Sequence, residues 1–259
     1  MKILKKLIHK IFALFNLKIT KFNHDDKEFP IVEADKFEID LLEISAKYSM
    51  TSLSRRWALI NAIKHVDKEN IEGDFVECGV WKGGNIVIFN HFNERYNLKK
   101  KIYAYDTFSG MSEPTALDKN FQNIEAKKEW DKNKKSQNIN LSFNCYSSLE
   151  EVKENVKKNS LNNSLENLNF IEGKVEETLK LKENLPDKIS ILRLDTDWYE
   201  STKTELEILF PKLSINGILI IDDYGNWKGA RKAVDEYFHN KKVVKHYIDF
   251  SCRMIIKSQ

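Results

Sequence analysis

Two neighbouring segments constrain the fold more than any other part of the chain: FVECGVWKGGN, residues 75–85, and YAYDTF, residues 103–108. The first is an apolar run of strand length that ends in a glycine-rich turn and opens a helix. The second is a strand that ends in an acid. Because glycine adopts positive φ and has no side chain, Gly79, Gly83 and Gly84 let the backbone turn sharply and approach a ligand.

The acid that ends the second strand indicates the kind of ligand. A carboxylate at this place, here Asp106, accepts hydrogen bonds from two ribose hydroxyls. The glycines form E-x-G-x-x-x-G-G from Glu77 onwards, and not the GxGxxG turn that holds a pyrophosphate. One short turn suffices for a cofactor without a pyrophosphate, and S-adenosylmethionine (SAM) is the candidate. Taken alone, the turn also fits a generic strand–turn–helix unit with a surface acid.

A second cluster of acids follows two further apolar runs. The segments ILRLDTDWYEST, residues 191–202, and GILIIDDYG, residues 217–225, each stop abruptly at a pair of aspartates. Near-continuous apolar runs are typical of parallel strands buried on both faces, and ligand sites lie beyond the carboxyl ends of such strands. The sequence therefore predicts that four carboxylates meet at one edge of the sheet: Asp195, Asp197, Asp222 and Asp223.

Four carboxylates in one place repel one another unless positive charge lies among them. A divalent cation bound by oxygen ligands is the natural partner, and Mg²⁺ suits two or three carboxylates plus waters. We expect Asp195, Asp222 and Asp223 to be the ligands and Asp197 to be the general base. Asp195 is the second catalytic candidate, because either of the first two acids can fill both roles. In the alternative interpretation, Asp222 and Asp223 are turn and N-cap residues.

These segments resemble the macrocin O-methyltransferase (TylF-type) family of SAM- and metal-dependent sugar methyltransferases. The resemblance covers roughly residues 50–257, and its most specific part is a D-x-D-x-Y-E-S-T run followed by I-D-D-Y-G. It implies a Rossmann-like class I methyltransferase fold and methyl transfer to a sugar hydroxyl. The matching stretches are GDFVECGVWKGGN, YAYDTFSGM, the region from LEEVKENV to EGKVEETL, LRLDTDWYESTKTELEILFPKLSINGILIIDDYG and ARKAVDEYF.

Further site residues are assigned within that fold. The cofactor residues lie at the ends of the first three strands: Glu77 and Gly79 for the methionine part, Gly83 and Gly84 in the turn, Asp106 for the ribose, Phe108 for the adenine face, Ser109 for the adenosine and Gly173 for the adenine edge. Aromatic faces stack on sugar rings, and a histidine in the last hairpin can line an acceptor pocket. The candidate acceptor contacts are therefore Trp198, Tyr224 and His246.

Alternating strands and helices predict a mostly parallel α/β sheet of seven strands. Strands are expected at 74–79, 101–105, 167–172, 189–195 and 217–222, with helices at 84–96, 148–159, 199–210 and 227–239. Two short strand-like runs, 243–249 and 252–258, predict an antiparallel C-terminal hairpin in place of another βαβ step. Helices at 36–48 and 52–69 predict an N-terminal helical cap over residues 20–70, ahead of a methyltransferase domain at 71–259.

Two segments lie outside these motifs. Residues 1–19 place apolar side chains at helical spacing with lysines on the other face. This pattern fits a basic amphipathic helix on a membrane surface or partner subunit, or a helix packed on its own domain. Residues 119–140 are rich in lysine and asparagine. They predict a loop with a short helix around 125–130, a candidate active-site lid.

Composition excludes several classes of protein. A net charge of +3 with dispersed basic residues does not indicate a nucleic-acid partner. Three cysteines without metal-type spacing favour a reducing cytoplasm. We expect a homo-oligomer acting on a sugar-containing acceptor. The rival interpretations are a metal-dependent phenol or catechol O-methyltransferase, an NAD-dependent oxidoreductase, and a non-catalytic SAM-fold module docked to a glycan assembly.

Overall fold

The structure is a computed structural model that describes residues 31–128, 130–131 and 145–258. A seven-stranded sheet of order β3-β2-β1-β4-β5-β7-β6 forms its centre. The first five strands pair in parallel and the last two are antiparallel, which confirms the predicted sheet with its terminal hairpin. The strands are β1 Asp74–Cys78, β2 Ile102–Asp106, β3 Leu168–Glu172, β4 Ile189–Leu194, β5 Leu213–Ile221, β6 His246–Tyr247 and β7 Arg253–Ile256.

Helices alternate with the parallel strands at the predicted places and also at Val175–Thr178, where no helix was expected. Ser52 begins the second helix, because its hydroxyl accepts a hydrogen bond from the backbone N–H of Arg55 at 3.2 Å. Among the described residues the helices are α1 Lys36–Ser45, α2 Leu53–Lys68, α3 Gly84–Tyr96, α4 Leu149–Lys158, α5 Val175–Thr178, α6 Tyr199–Ile208 and α7 Lys228–Tyr237.

Apolar side chains on both faces of the sheet explain the continuous apolar runs of the sequence. On one face the Phe75 ring of β1 stacks on Phe89 of α3, with ring centroids 4.9 Å apart. The next residue, Val76, points to the other face and packs in one buried cluster with Leu206 and Val234 of α6 and α7. Helices on both faces leave the carboxyl ends of the strands as the open edge.

The chain divides into two compact units, Met1–Ile39 and Asp40–Gln259. In the first, Asp35 and Glu38 exchange backbone-to-carboxylate hydrogen bonds at 2.8 and 2.9 Å, a capping box at the start of α1. The second carries the sheet. The predicted boundary at residue 70 stays a prediction.

Two predicted segments fall partly or wholly outside the described residues. The basic helix expected at residues 1–19 is one of them. The loop expected at 119–140 is described only in part, and residues 126–128 are helical where a short helix was expected. Within the described residues, no helix combines the length and apolarity needed to cross a membrane.

Candidate active site

A cavity of about 280 Å³ lies at the carboxyl ends of the parallel strands in the second unit. Residues that follow each of the first five strands line it: Gly79, Asp106, Gly173, Asp195 and Asp222. Parallel strands gather their carboxyl ends at one edge, which brings residues far apart in sequence into one site. The cavity thus unites the predicted cofactor turn with the predicted acid cluster.

The Asp106 carboxylate ties the glycine turn to the second strand. Its Oδ2 accepts hydrogen bonds from the backbone N–H groups of Val80 and Trp81, at 2.7 and 3.0 Å. Its Oδ1 accepts the N–H of Phe108 at 2.8 Å. Trp81 has a φ of +48°, an uncommon value for a residue with a side chain, and it lines the cavity. The carboxylate therefore lies at the predicted place and is held there by three backbone donors.

Gly79 is the point where the cofactor side and the acid side touch. It has a φ of +85°, and a Cβ there would lie 2.0 Å from the backbone oxygen of Asp195. The N–H of Asp195 in turn donates to the Cys78 oxygen at 2.8 Å. A side chain at position 79 would separate the ends of β1 and β4.

The other two glycines of the turn do not line the cavity. Gly83 is the N-cap of α3, with a φ of +88°. A Cβ on Gly84 would lie 2.6–2.8 Å from atoms of Ser45, Tyr48 and Ser49, so this glycine permits close packing within the protein. The structure therefore needs glycine at these two positions for the backbone conformation and for close packing within the protein. Their contact with a ligand stays a prediction.

Three acids form a group that can hold a metal ion. One carboxylate oxygen from each of Asp195, Asp222 and Asp223 lies within 4.8 Å of the others. Burial and the neighbouring Asp195 raise the pKa of Asp222 to about 6. Burial and Asp197 raise the pKa of Asp223 well above its usual range. Three hard oxygen donors this close together fit Mg²⁺.

A buried arginine lies beneath the three acids. Arg193 is 2% exposed and donates from Nη1 to Glu77 and Asp195, at 2.7 and 2.8 Å, and from Nη2 to Asp222 at 2.6 Å. It thus joins carboxylates from the ends of β4 and β5 and from within β1. Arg193 was not among the predicted site residues, although a charged residue inside the apolar run ILRLD is a usable signal, because a buried charge needs partners.

A second arginine reaches the acids from helix α2. Arg55 in the first turn of α2 donates from Nη1 to Asp222 Oδ2 at 2.5 Å and from Nε to Asp249 Oδ2 at 2.8 Å. It lines the cavity together with Met50 and Thr51. The sequence gives no signal for these contacts, because the two acids lie 167 and 194 residues from Arg55 along the chain.

Glu77 is fully buried and does not line the cavity. Its Oε1 accepts hydrogen bonds from Asn85 at 2.9 Å and from Arg193. Burial raises its pKa to about 7, even though Arg193 acts in the opposite direction. Its assignment to the methionine part of SAM stays a prediction, and the structure shows it supporting the acid site from below.

Asp197 lines the cavity beside the three acids and is half-buried. Its backbone has a φ of +67°, and its N–H donates to Asp223 Oδ2 at 3.2 Å. Burial raises its pKa to about 6.

The next residue, Trp198, is buried, donates from Nε1 to the Ser112 oxygen at 2.9 Å and packs edge-on against Trp227, with centroids 4.9 Å apart. Both tryptophans line the cavity.

Four other predicted site residues lie away from the cavity lining. Phe108 is buried and packs edge-on against Phe170. The Tyr224 hydroxyl donates to Asp235 at 2.9 Å. Ser109 and His246 are exposed. The structure brings together Gly79, Asp106, Gly173, Asp195, Asp197, Trp198, Asp222 and Asp223, and it leaves Glu77, Gly83, Gly84, Phe108, Ser109, Tyr224 and His246 outside the lining.

The parallel sheet with its terminal hairpin, the glycine turn and the strand-end acid define a class I methyltransferase fold. The solved structure of the O-methyltransferase NovP is similar, with a TM-score of 0.69 and 24% identity over 82% of this chain and 83% of that one. The calicheamicin methyltransferase CalS11 shares the fold, with a TM-score of 0.60 and 17% identity over 91% and 99% of the two chains.

The sequence model described as Macrocin-O-methyltransferase (TylF) matches residues 9–254, and the chain belongs to that family. One relative is the 8-demethyl-8-(2,3-dimethoxy-alpha-L-rhamnosyl)-tetracenomycin-C 4'-O-methyltransferase of Streptomyces olivaceus, 30% identical over 74% of this chain and 68% of the relative. Another is the demethyldecarbamoylnovobiocin O-methyltransferase of Streptomyces niveus, 27% identical over 73% and 67%. The protein is a SAM-dependent O-methyltransferase.

Proposed function

We propose that the protein transfers the methyl group of SAM to a sugar hydroxyl with the help of Mg²⁺. The observation that carries the proposal is the convergence of three carboxylate oxygens within 4.8 Å in the cavity that also contains Gly79 and Asp106. When bound, SAM supplies a methyl group on a sulfonium, and the cation supplies a Lewis acid that lowers the pKa of a hydroxyl. Asp195, Asp222 and Asp223 would hold the cation.

The cofactor side of the cavity would hold SAM. Asp106 would accept from a ribose hydroxyl with the one lone-pair site of about four that its three backbone donors leave open. Gly79 and Gly173 lie beside it in the lining, and neither presents a side chain to the cofactor. The negative acid cluster favours a cationic sulfonium nearby.

Asp197 is our general base. A carboxyl group with a pKa of about 6 is ionised at neutral pH, yet it holds a proton more readily than an ordinary aspartate. That combination suits the removal of a proton from an acceptor hydroxyl. Asp195 is the alternative base.

The acceptor assignment is supported by the relatives. The name of the tetracenomycin enzyme above specifies a rhamnosyl compound as the acceptor. A further relative is the mycinamicin III 3''-O-methyltransferase of Micromonospora griseorubida, 25% identical over 73% of this chain. Trp81, Trp198 and Trp227 give the cavity aromatic surfaces for a sugar ring.

Contacts from Tyr224 and His246 remain part of the proposal for a larger acceptor. A homo-oligomer, a cytoplasmic location and peripheral membrane contact through residues 1–19 belong to the proposal as well.

The experiment is incubation with methyl-labelled SAM and a panel of nucleotide sugars, lipid-linked glycans and catechol, with Mg²⁺ or after exhaustive chelation. We expect label on a sugar-containing acceptor in the presence of Mg²⁺ only. Label on catechol alone would establish a phenol acceptor instead. Full transfer after chelation would remove the metal from the reaction, and absence of SAM binding would favour a non-catalytic module.

A further inference from the structure

The Asp222 carboxylate is shared between two arginines that differ in their freedom to move. Oδ1 accepts from Arg193 at 2.6 Å, and Oδ2 accepts from Arg55 at 2.5 Å. The Arg193 side chain is 2% exposed and bound to three acids, whereas that of Arg55 is 19% exposed at the rim of the cavity. A cation that binds Asp222 must therefore compete with Arg55, because Arg193 is buried and is held by three carboxylates.

We propose that Arg55 competes with the metal ion for Asp222 and so sets the metal affinity of the site, with Asp249 moderating its effect. The inference rests on the proposed metal site. It makes helix α2, and not only the strand ends, a determinant of metal binding. Arg55 is the cation that contacts Oδ2 of Asp222, while Arg193 contacts Oδ1.

Two physical effects of Arg55 oppose each other. Its hydrogen bond orients Asp222, which favours metal binding, and its positive charge repels a divalent cation across the same carboxylate. The net value of one hydrogen bond is small, because water replaces it when it is lost. Repulsion between a single and a double charge at neighbouring positions is larger and is weakly screened inside a cavity. The repulsion therefore dominates.

Asp249 contributes a negative charge that partly offsets the positive charge of Arg55. Its Oδ2 accepts from Arg55 and from the Ser52 hydroxyl at 2.6 Å, and its Oδ1 accepts the N–H groups of Ser251 and Cys252. These bonds fix a negative charge behind the guanidinium without adding a metal ligand. Removing that charge leaves the Arg55 charge less compensated, so it should weaken metal binding.

The test measures Mn²⁺ affinity of the full chain by calorimetry and electron paramagnetic resonance, without acceptor. We expect Arg55→Gln to bind Mn²⁺ about tenfold more tightly than the wild type, because the repulsive charge is gone. Arg55→Lys retains the charge and should stay within about threefold of the wild type. Asp249→Asn should bind about threefold to tenfold more weakly. Arg95→Gln, the same change at an exposed position of α3, should leave the affinity unchanged.

Mn²⁺ affinity should rise in the Arg55→Gln variant and fall in the Asp249→Asn variant. Residues with a purely structural role would not change the affinity in opposite directions. Unchanged or weaker Mn²⁺ binding in a folded Arg55→Gln variant would overturn the inference and leave the metal site intact. Absence of Mn²⁺ binding in the wild type would instead remove the proposed metal function itself. If Arg55→Gln fails to fold, Asp249→Asn decides, and tighter or unchanged binding in that variant overturns the proposal.

Discussion

The two sides of the cavity are built from different materials. The cofactor side, at the ends of β1 to β3, includes the glycine turn and a carboxylate, Asp106, that already accepts three N–H groups. The acid side, at the ends of β4 and β5, gathers Asp195, Asp197, Asp222 and Asp223 around two arginines. One side satisfies its polar groups by itself, and the other retains unbalanced negative charge.

This difference separates a carboxylate with preformed backbone contacts from a group of carboxylates whose charge favours a cation. A carboxylate held by backbone donors keeps its orientation at no further cost when a ligand arrives. Crowded carboxylates resist ionisation, and the raised pKa values of Asp222 and Asp223 record that resistance. We therefore expect changes on the acid side to act on chemistry and metal binding, and changes on the cofactor side to act on SAM affinity.

The largest effect on the acid side should come from Asp197→Asn. The variant keeps the shape of the side chain and removes the proton acceptor, so kcat should fall by about 10²–10⁴ while the Kd values for SAM and Mn²⁺ stay near normal. Steady-state kinetics and calorimetry measure the two quantities.

Asp195→Asn is the matched control for that prediction. It should lose metal affinity first, so excess Mg²⁺ should partly restore its rate. If raising Mg²⁺ restores the Asp197 variant and not the Asp195 variant, the two acids have exchanged roles.

Gly79→Ala should affect the cofactor side and the acid side together, because this residue lies where the two sides meet. Its Cβ would lie 2.0 Å from the Asp195 backbone oxygen at a φ of +85°, so the strand ends must separate. We expect a loss of about 2–4 kcal/mol in the free energy of unfolding, measured by denaturant titration. Affinity for SAM and for Mn²⁺ should fall together.

Gly83→Ala provides the control with the same backbone strain. Its φ is +88°, but a Cβ there meets only side-chain atoms of Val152 and Val156 at 3.0–3.2 Å, which can move. The cost should stay near 1–2 kcal/mol, that of the left-handed conformation alone. Equal losses in the two variants would show that contact with Asp195 contributes nothing.

The fold and the acid cluster were predictable because local sequence encodes them. Apolar runs that end in acids specify strands and the edge where they end, so Asp195 and Asp222 meet without knowledge of the fold's details. Contacts across the fold were not predictable. Arg55 reaches Asp222 from α2, whereas Asp222 follows β5, and the sequence around Arg55 is that of an ordinary helix start. Strand position also does not show that the Glu77 side chain is buried beneath the acids, and its role toward SAM stays a prediction.

Asp106→Ala should weaken SAM binding by roughly 1.5–3 kcal/mol for each charge-assisted hydrogen bond lost to the ribose, which is about tenfold or more in Kd. The substitution also releases the N–H groups of Val80 and Trp81, so the thermal unfolding temperature without SAM must be measured alongside. A lower unfolding temperature with an unchanged SAM affinity would remove Asp106 from the ribose site.

Acidification should affect the acid side alone. Asp197 and the proposed ligand Asp222 each have a pKa of about 6 in the folded protein, above the ordinary value, so both gain a proton as the pH falls through 6, and the rates are therefore measured at saturating Mg²⁺. At pH 5, kcat/KM should be about tenfold below its plateau. A raised carboxyl pKa means that this group favours the folded state more at low pH than at neutral pH, so unfolding does not explain the loss. SAM affinity that falls in parallel would contradict a role confined to Asp197.

The smallest effect should follow deletion of residues 1–19. The residues that line the cavity extend from Met50 to Trp227, within the unit Asp40–Gln259. The apolar and lysine-rich pattern of the deleted segment lies outside both the cofactor turn and the acid cluster. We expect SAM affinity within about twofold of the full chain by calorimetry, and an unchanged kcat on a soluble acceptor. Sedimentation with anionic vesicles should then separate the full chain from the shortened one. If SAM affinity collapses instead, the segment is part of the catalytic core and both sides of the cavity depend on it.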